Sequence, residues 1–383
     1  MRTPSTSLGR HAWPLLNTKV EMPPVVPVLA LTLLLMAINP IGYVGGGWDD
    51  WHYLQAARCV AENGLCIPTD HWARRFTFVA PVGLILNLAG ESREVLWIVP
   101  ALFSLSAVAI LVATVERQFG TFEALLAGVV FVLTPAFSSR MLDLGVDIAE
   151  LAFVAAAAFC LHHSSRSRSS VWPISCGLVI ALAVLTRPTA LALLPIFLIA
   201  LGLIPKAGRQ IPLFLFGFLA PLAAEAIAYW VATGDPLLSW KLSLSHTTVP
   251  STELAASVDV PQSPLFNVAF IDGWKPAAGI SLHWTVDGFL NLLFHPSTCL
   301  TLLAAIALLL LQRRELGRSK RGKVLLFLLA GAALYFGALV YALAIDPKPR
   351  MFLPVVAAAS VMVGVLGSWA WRQGHRLLIS MIL

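Results

Sequence analysis

The stretch that decides the fold is Val25–Leu54, VVPVLALTLLLMAINPIGYVGGGWDDWHYL, in which a long apolar run ends in three glycines, two adjacent carboxylates and an aromatic cluster. Residues 25–44 are long enough to cross lipid, since a helix needs ~20 apolar residues for ~30 Å of hydrocarbon. Outward from this stretch the pattern repeats. Further apolar runs at 95–115, 122–138, 146–162, 171–187, 188–204, 211–232, 296–311, 324–344 and 352–370 predict about ten transmembrane helices. Composition agrees: of 383 residues, 58% are hydrophobic and only 12% charged, with mean hydropathy +0.81. Soluble globules carry roughly a quarter charged residues, so a soluble fold is excluded. The ~10-residue polarity alternation of a membrane barrel is absent too. The fold class is all-α integral membrane. The first run follows a long polar preamble and no small-residue cleavage site comes after it, so it is expected to stay as an anchor.

Residues 1–24 are expected to be a cytoplasmic segment, 25–370 one membrane domain, and 371–383 a cytoplasmic tail. Most of the 26 Lys and Arg fall on the side that holds the N-terminus, most densely from Arg313 to Lys323, and this orients the chain by the positive-inside rule. The net charge of +6 is then an orientation signal, and no nucleic acid is needed to explain it. Two long outer segments, about 45–94 and 233–295, are where function is expected.

From Tyr53 the pattern turns helical. Tyr53, Leu54, Ala57, Val60 and Ala61 share one face and His52, Gln55, Arg58 and Glu62 the other, which predicts an amphipathic interfacial helix ending at Asn63-Gly64. Asp49 can be read as an N-cap for that helix or as a functional carboxylate. Cys59 and Cys66 flank the Asn63-Gly64 turn, which leaves open a disulfide or two free thiols. Cys160, Cys176 and Cys299 fall in apolar runs as small apolar groups, and no zinc spacing is present.

Acidic and basic residues recur at the outer ends of the runs: Asp49-Asp50 with Tyr53, His71 and Arg74-Arg75, Asp143 and Asp147, Thr186-Arg187-Pro188-Thr189, Gly234-Asp235-Pro236, and Lys348 with Arg350-Met351-Phe352-Leu353-Pro354. Ionisable residues at membrane depth mark functional sites by default. Arg187, between two spans, requires a partner, and Asp147 is the candidate. Arg74 and Arg75 can alternatively contact anionic headgroups. Glu225 reads as the only acid deep in an apolar run.

In this order the signals resemble the GT-C superfamily of polyprenyl-phosphate-dependent glycosyltransferases, especially the branch of protein O-mannosyltransferases and lipid A aminoarabinose transferases. The resemblance runs from about residue 25 to 370. It departs in Asp49-Asp50, where the family has Asp-Glu, in Arg350-Met351, where it has Arg-Tyr, and in the shorter chain. The resemblance implies inverting transfer of a sugar from a polyprenyl-phosphate donor to an unidentified hydroxyl of a glycan, lipid or protein, on the periplasmic or exterior face of a bacterial inner membrane. By the family pattern Asp49 is the base, with Asp50 supporting it. Arg75 and Arg350, then Arg74, Arg187 and Lys348, bind the donor phosphate, and Tyr53, His71 and Asp147 line the substrate. No cofactor is expected; a divalent ion on Asp49, Asp50 and Asp147 is the lesser alternative. The rival classes are a secondary transporter, for which no internal repeat is visible, and a non-catalytic lipid-binding protein.

Overall fold

The computed structural model describes residues 22–38, 48–64, 66, 74–167, 169–204, 207–247, 284–342 and 348–374. Its elements are helical: α1 (Val25–Ile38), α2 (Trp48–Asn63), α3 (Phe76–Ala89), α4 (Arg93–Phe119), α5 (Thr121–Leu133), α6 (Pro135–Ser138), α7 (Val146–Arg166), α8 (Val171–Thr186), a 3-10 segment (Pro188–Leu193), α9 (Leu194–Gly202), α10 (Ala207–Thr233) and α11 (Leu238–Thr247). After these come α12 (Trp284–Phe294), α13 (Cys299–Leu311), α14 (Arg313–Arg318), α15 (Lys320–Gly337), a 3-10 turn (Pro349–Phe352) and α16 (Leu353–Arg372).

Five helical stretches are long and apolar enough to cross a membrane: Arg93–Phe119, Val146–Arg166, Ala207–Thr233, Lys320–Tyr341 and Pro349–Arg372. A sixth is the pair Gly288–Phe294 and Cys299–Leu311, bent by 102°. The remaining expected spans coincide with shorter apolar helices, Val25–Ile38, Thr121–Leu133, Val171–Thr186 and Pro188–Gly202. At 1.5 Å per residue, a 14-residue helix covers only about 21 Å.

The first outer segment differs from expectation. It holds α2, as its periodicity predicts, and also α3, an apolar 14-residue helix that is not among the expected elements. Too short to span, α3 packs on α2, where a Cβ on Gly83 would strike Val60 and the Ala57 carbonyl. Tyr53, Leu54 and Ala57 are buried on the packed face and Gln55 is exposed. Gly64 ends α2 at φ +75°, a conformation that favours glycine, and Cys59 and Cys66 are joined in a disulfide.

Lipid gives helices no hydrophobic drive to associate, so close backbone approach through small residues holds the bundle. A Cβ on Gly177 of α8 would collide with the Phe214 carbonyl of α10, and one on Gly217 with the Ile174 carbonyl. Likewise Gly364 of α16 lies against Ala127 of α5. Enclosed by its neighbours, α16 forms the centre of the bundle. Glu225 is not the only acid within an apolar run: Glu150 in α7 and Glu123 in α5 are both buried, because each is paired across helices.

Candidate active site

Four chain segments bring charge to one end of the bundle. Asp49 and Asp50 occupy the first turn of α2. The described helix begins at Trp48, one residue before Asp49. Asp147 and Glu150 share the first turns of α7 at i, i+3 spacing, which sets them on one face. Arg187 ends α8 in an extended conformation (φ −152°, ψ 116°), as a residue before proline prefers, and Pro188 opens the 3-10 segment. Arg350 lies in the 3-10 turn that leads into α16.

These side chains form a line of alternating charge. Arg350 Nη2 donates to Asp49 Oδ2 at 2.7 Å, and Arg350 Nε lies 3.9 Å from Asp147 Oδ2. On its other oxygen Asp147 accepts from Arg187, whose guanidinium is 3.6 Å from Glu150 Oε2. Glu150 Oε1 accepts from the Tyr335 hydroxyl at 2.9 Å and the Thr189 hydroxyl at 3.3 Å. The same Tyr335 hydroxyl lies 3.3 Å from the Met351 carbonyl, next to Arg350. Burial divides the line: the Arg187 and Glu150 side chains are 6% and 1% exposed, those of Arg350 and Asp49 27% and 37%.

Arg75 donates to the Tyr53 hydroxyl and lies 5.4 Å from the centre of that ring, while its buried Nε has no hydrogen-bond partner among the described residues. Burial pushes the Tyr53 phenol far above its usual range, opposed by Arg75 and reinforced by Asp49 and Asp147, so it stays a neutral hydroxyl.

Arg74 is engaged elsewhere. Buried rather than at a headgroup surface, it donates to the Ser239 carbonyl and, at 2.9 Å, to the Ser239 hydroxyl, which donates to Glu225 at 2.8 Å. Trp240 lies 6.0 Å away. Burial lowers the Arg74 guanidinium to about 10 against the pull of Glu225, which still leaves it charged at neutral pH. Lys348 is exposed at the start of the 3-10 turn, Asp143 pairs with Arg140, and Asp235 pairs with Lys241. His71 and the glycines 45–47 lie outside the described residues.

Glu150 and Tyr335 were not singled out from the sequence. For Glu150 a signal existed, its spacing from Asp147 on one helix face. For Tyr335, mid-span and 185 residues from its partner, none did. Among the described residues no three His, Cys, Asp or Glu side chains gather as a metal set, and Asp49 and Asp147 each face an arginine.

Residues 79–230 match the family model described as dolichyl-phosphate-mannose-protein mannosyltransferase, a segment that includes Asp147, Glu150 and Arg187. No curated protein matches the chain by sequence. Among solved structures it is similar to ArnT from Cupriavidus metallidurans bound to undecaprenyl phosphate (TM-score 0.52, 16% identity, covering 93% of this chain and 62% of that one). It is also similar to the oligosaccharyltransferase of Archaeoglobus fulgidus in the apo form (TM-score 0.57, 14% identity, 94% and 52%). The archaeal oligosaccharyltransferase AglB from Archaeoglobus fulgidus, in complex with an inhibitory peptide and a dolichol-phosphate, gives a TM-score of 0.50 at 14% identity, covering 93% and 52%. The chain thus spans between half and two thirds of the length of these neighbours. Its fold is that of the GT-C superfamily glycosyltransferases, the superfamily that its ordered motifs resemble.

Proposed function

We propose that the protein is a membrane-embedded glycosyltransferase that moves a sugar from a polyprenyl-phosphate donor to an acceptor hydroxyl. The observation that carries this reading is the 2.7 Å pair between Asp49 and Arg350, a proton acceptor beside a phosphate-binding group, drawn together from 301 residues apart. In the reaction the hydroxyl oxygen bonds to the anomeric carbon while Asp49 takes its proton. The bond from that carbon to the phosphate oxygen breaks, and the lipid phosphate departs with the electron pair. Attack opposite the leaving group inverts the anomeric centre. Asp50 supports the base, and Tyr53 and Asp147 line the substrate beside it.

The leaving phosphate needs positive charge and donors more than a proton. Arg350 and Arg75 supply them; Arg187 and Lys348 add field. Arg75 Nε, without a partner among the described residues, is a donor suited to such an oxyanion. Arginine, not a metal, carries the phosphate charge in this account. That one structural neighbour holds undecaprenyl phosphate and another a dolichol-phosphate supports the choice of donor class.

We assign the site to the periplasmic or exterior face of a bacterial inner membrane. The Cys59–Cys66 disulfide in α2 and the segment after it favours an oxidising compartment on that face. The exposed basic run from Arg313 to Lys323, read as cytoplasmic, favours the same orientation.

The test is purified full-length protein in proteoliposomes, supplied with a radiolabelled polyprenyl-phosphate sugar and membrane extract as acceptor source. Label is expected to leave the polyprenyl lipid and appear in an acceptor. Solute flux without transfer would replace this reading with a transporter.

A further inference from the structure

The charged line has one pair that can open and one that cannot. Arg187 is sealed between Asp147 and Glu150, and Glu150 is held in turn by Tyr335 and Thr189. Arg350 instead reaches Asp49 through one outer nitrogen in a partly exposed pair, and its 3.9 Å approach to Asp147 is longer than a hydrogen bond. A phosphate prefers the planar fork of arginine and engages it through two oxygens. One fork cannot serve a phosphate and the Asp49 carboxylate fully at once. A carboxylate paired with a guanidinium is also a poorer proton acceptor, because the cation favours its ionised form.

We propose that the donor's lipid phosphate and Asp49 compete for Arg350, so that donor binding itself releases the base from its ion pair. The inference rests on the functional reading above and adds to it a link between donor occupancy and base activation. In the structure Asp49 is held by Arg350. When phosphate takes the fork, Asp49 loses this partner and turns to the acceptor hydroxyl. The Glu150–Arg187–Asp147 group stays fixed through the exchange, so Arg350 is the arginine that trades partners.

The exchange has an unusual signature, in which removing the base improves ligand binding while it stops turnover. Binding of undecaprenyl phosphate to the full chain in nanodiscs is the measurement. Asp49→Asn should bind about twofold to fivefold more tightly than wild type, the range expected when a partly exposed competing ion pair is removed. Asp50→Asn changes net charge equally at the neighbouring position and should leave binding near wild type. Asp49→Glu keeps the competitor and should also bind like wild type, which guards against a general effect of altering α2. Unchanged or weaker binding by Asp49→Asn overturns the exchange and leaves the glycosyltransferase reading intact. Equal tightening by both Asn variants overturns it in favour of simple charge repulsion. Failure of the wild-type chain to bind undecaprenyl phosphate removes the functional reading and the exchange together.

Discussion

The two ends of α16 hold the same residue type in opposite circumstances. At one end Arg350 pairs with Asp49 and adjoins a buried network drawn from α7, α8 and α15. About 30 Å away along a 20-residue helix, Arg372 meets Glu123, and Gln312 donates to Gln373 at 2.8 Å. Beyond these, Arg313, Arg314, Arg318, Lys320, Arg321 and Lys323 stand exposed. Charge at the second end is repeated along neighbouring positions and meets solvent. Charge at the first alternates in sign, held across long sequence separations and partly sealed from water. A basic residue near a membrane end therefore says little until its partners are known: exposed rows of them orient a chain, a single cross-helix pair such as Arg372–Glu123 ties two helices together, and a network of several carboxylates and arginines builds a site.

The largest effect is expected where pairing is deepest. Arg187→Ala would leave Asp147 and Glu150 facing one another without their cation, a change that costs about 3–5 kcal/mol when a buried pair loses one partner. Thermal unfolding in detergent should show a marked drop in Tm, and transfer should be lost with it. Wild-type Tm would mean that the inner pair is not part of the framework. A smaller, more specific effect belongs to Arg350→Ala, which should lower kcat/KM for the donor by about tenfold to a hundredfold, the worth of a hydrogen bond to a charged group. Lysine there should restore only part of it, since the fork is lost. Undiminished donor use by Arg350→Ala would exclude this residue from the phosphate site. The smallest effect belongs to the other end. Arg318→Cys should transfer sugar within about twofold of wild type, as exposed substitutions do, and react only with thiol reagents supplied from the cytoplasm. Labelling from the exterior alone would invert the comparison and put the site in the wrong compartment.

What the sequence made legible follows from the range of each interaction. Apolar helices were readable because an apolar run is a local property, five or six of them being long enough to cross a membrane, and the α2 face because Tyr53, Leu54 and Ala57 recur at helical spacing. α3 was missed because fourteen apolar residues are too few to read as a span, and a preference for lying against α2 is not written locally. Asp49, Arg350, Asp147 and Arg187 could be nominated because each stands at the end of an apolar run, where a charge is conspicuous. The Arg187–Asp147 bridge was legible too, because a guanidinium between two spans requires a partner and an acid opening a neighbouring span is the obvious one. The link from Asp49 to Arg350 was not, since the two meet across 301 residues. Arg74 shows the same limit from the other side: adjacent to Arg75 in sequence, it is claimed by Ser239, 165 residues away. Tyr335 in mid-span carries no local mark at all, because a tyrosine there reads as core until Glu150 and Met351 are seen around its hydroxyl.

The central claim is that the charged end performs chemistry and that Asp49 is its base. Sugar transfer from a polyprenyl-phosphate donor, compared between wild type and Asp49→Asn at matched expression and membrane insertion, tests it most directly. Asparagine keeps the size and hydrogen-bonding shape of the side chain but cannot take the proton. Transfer is expected to fall ~10²-fold or more, the usual scale for a lost general base, with a smaller loss for Asp50→Asn. Transfer by Asp49→Asn at the wild-type rate would contradict the account.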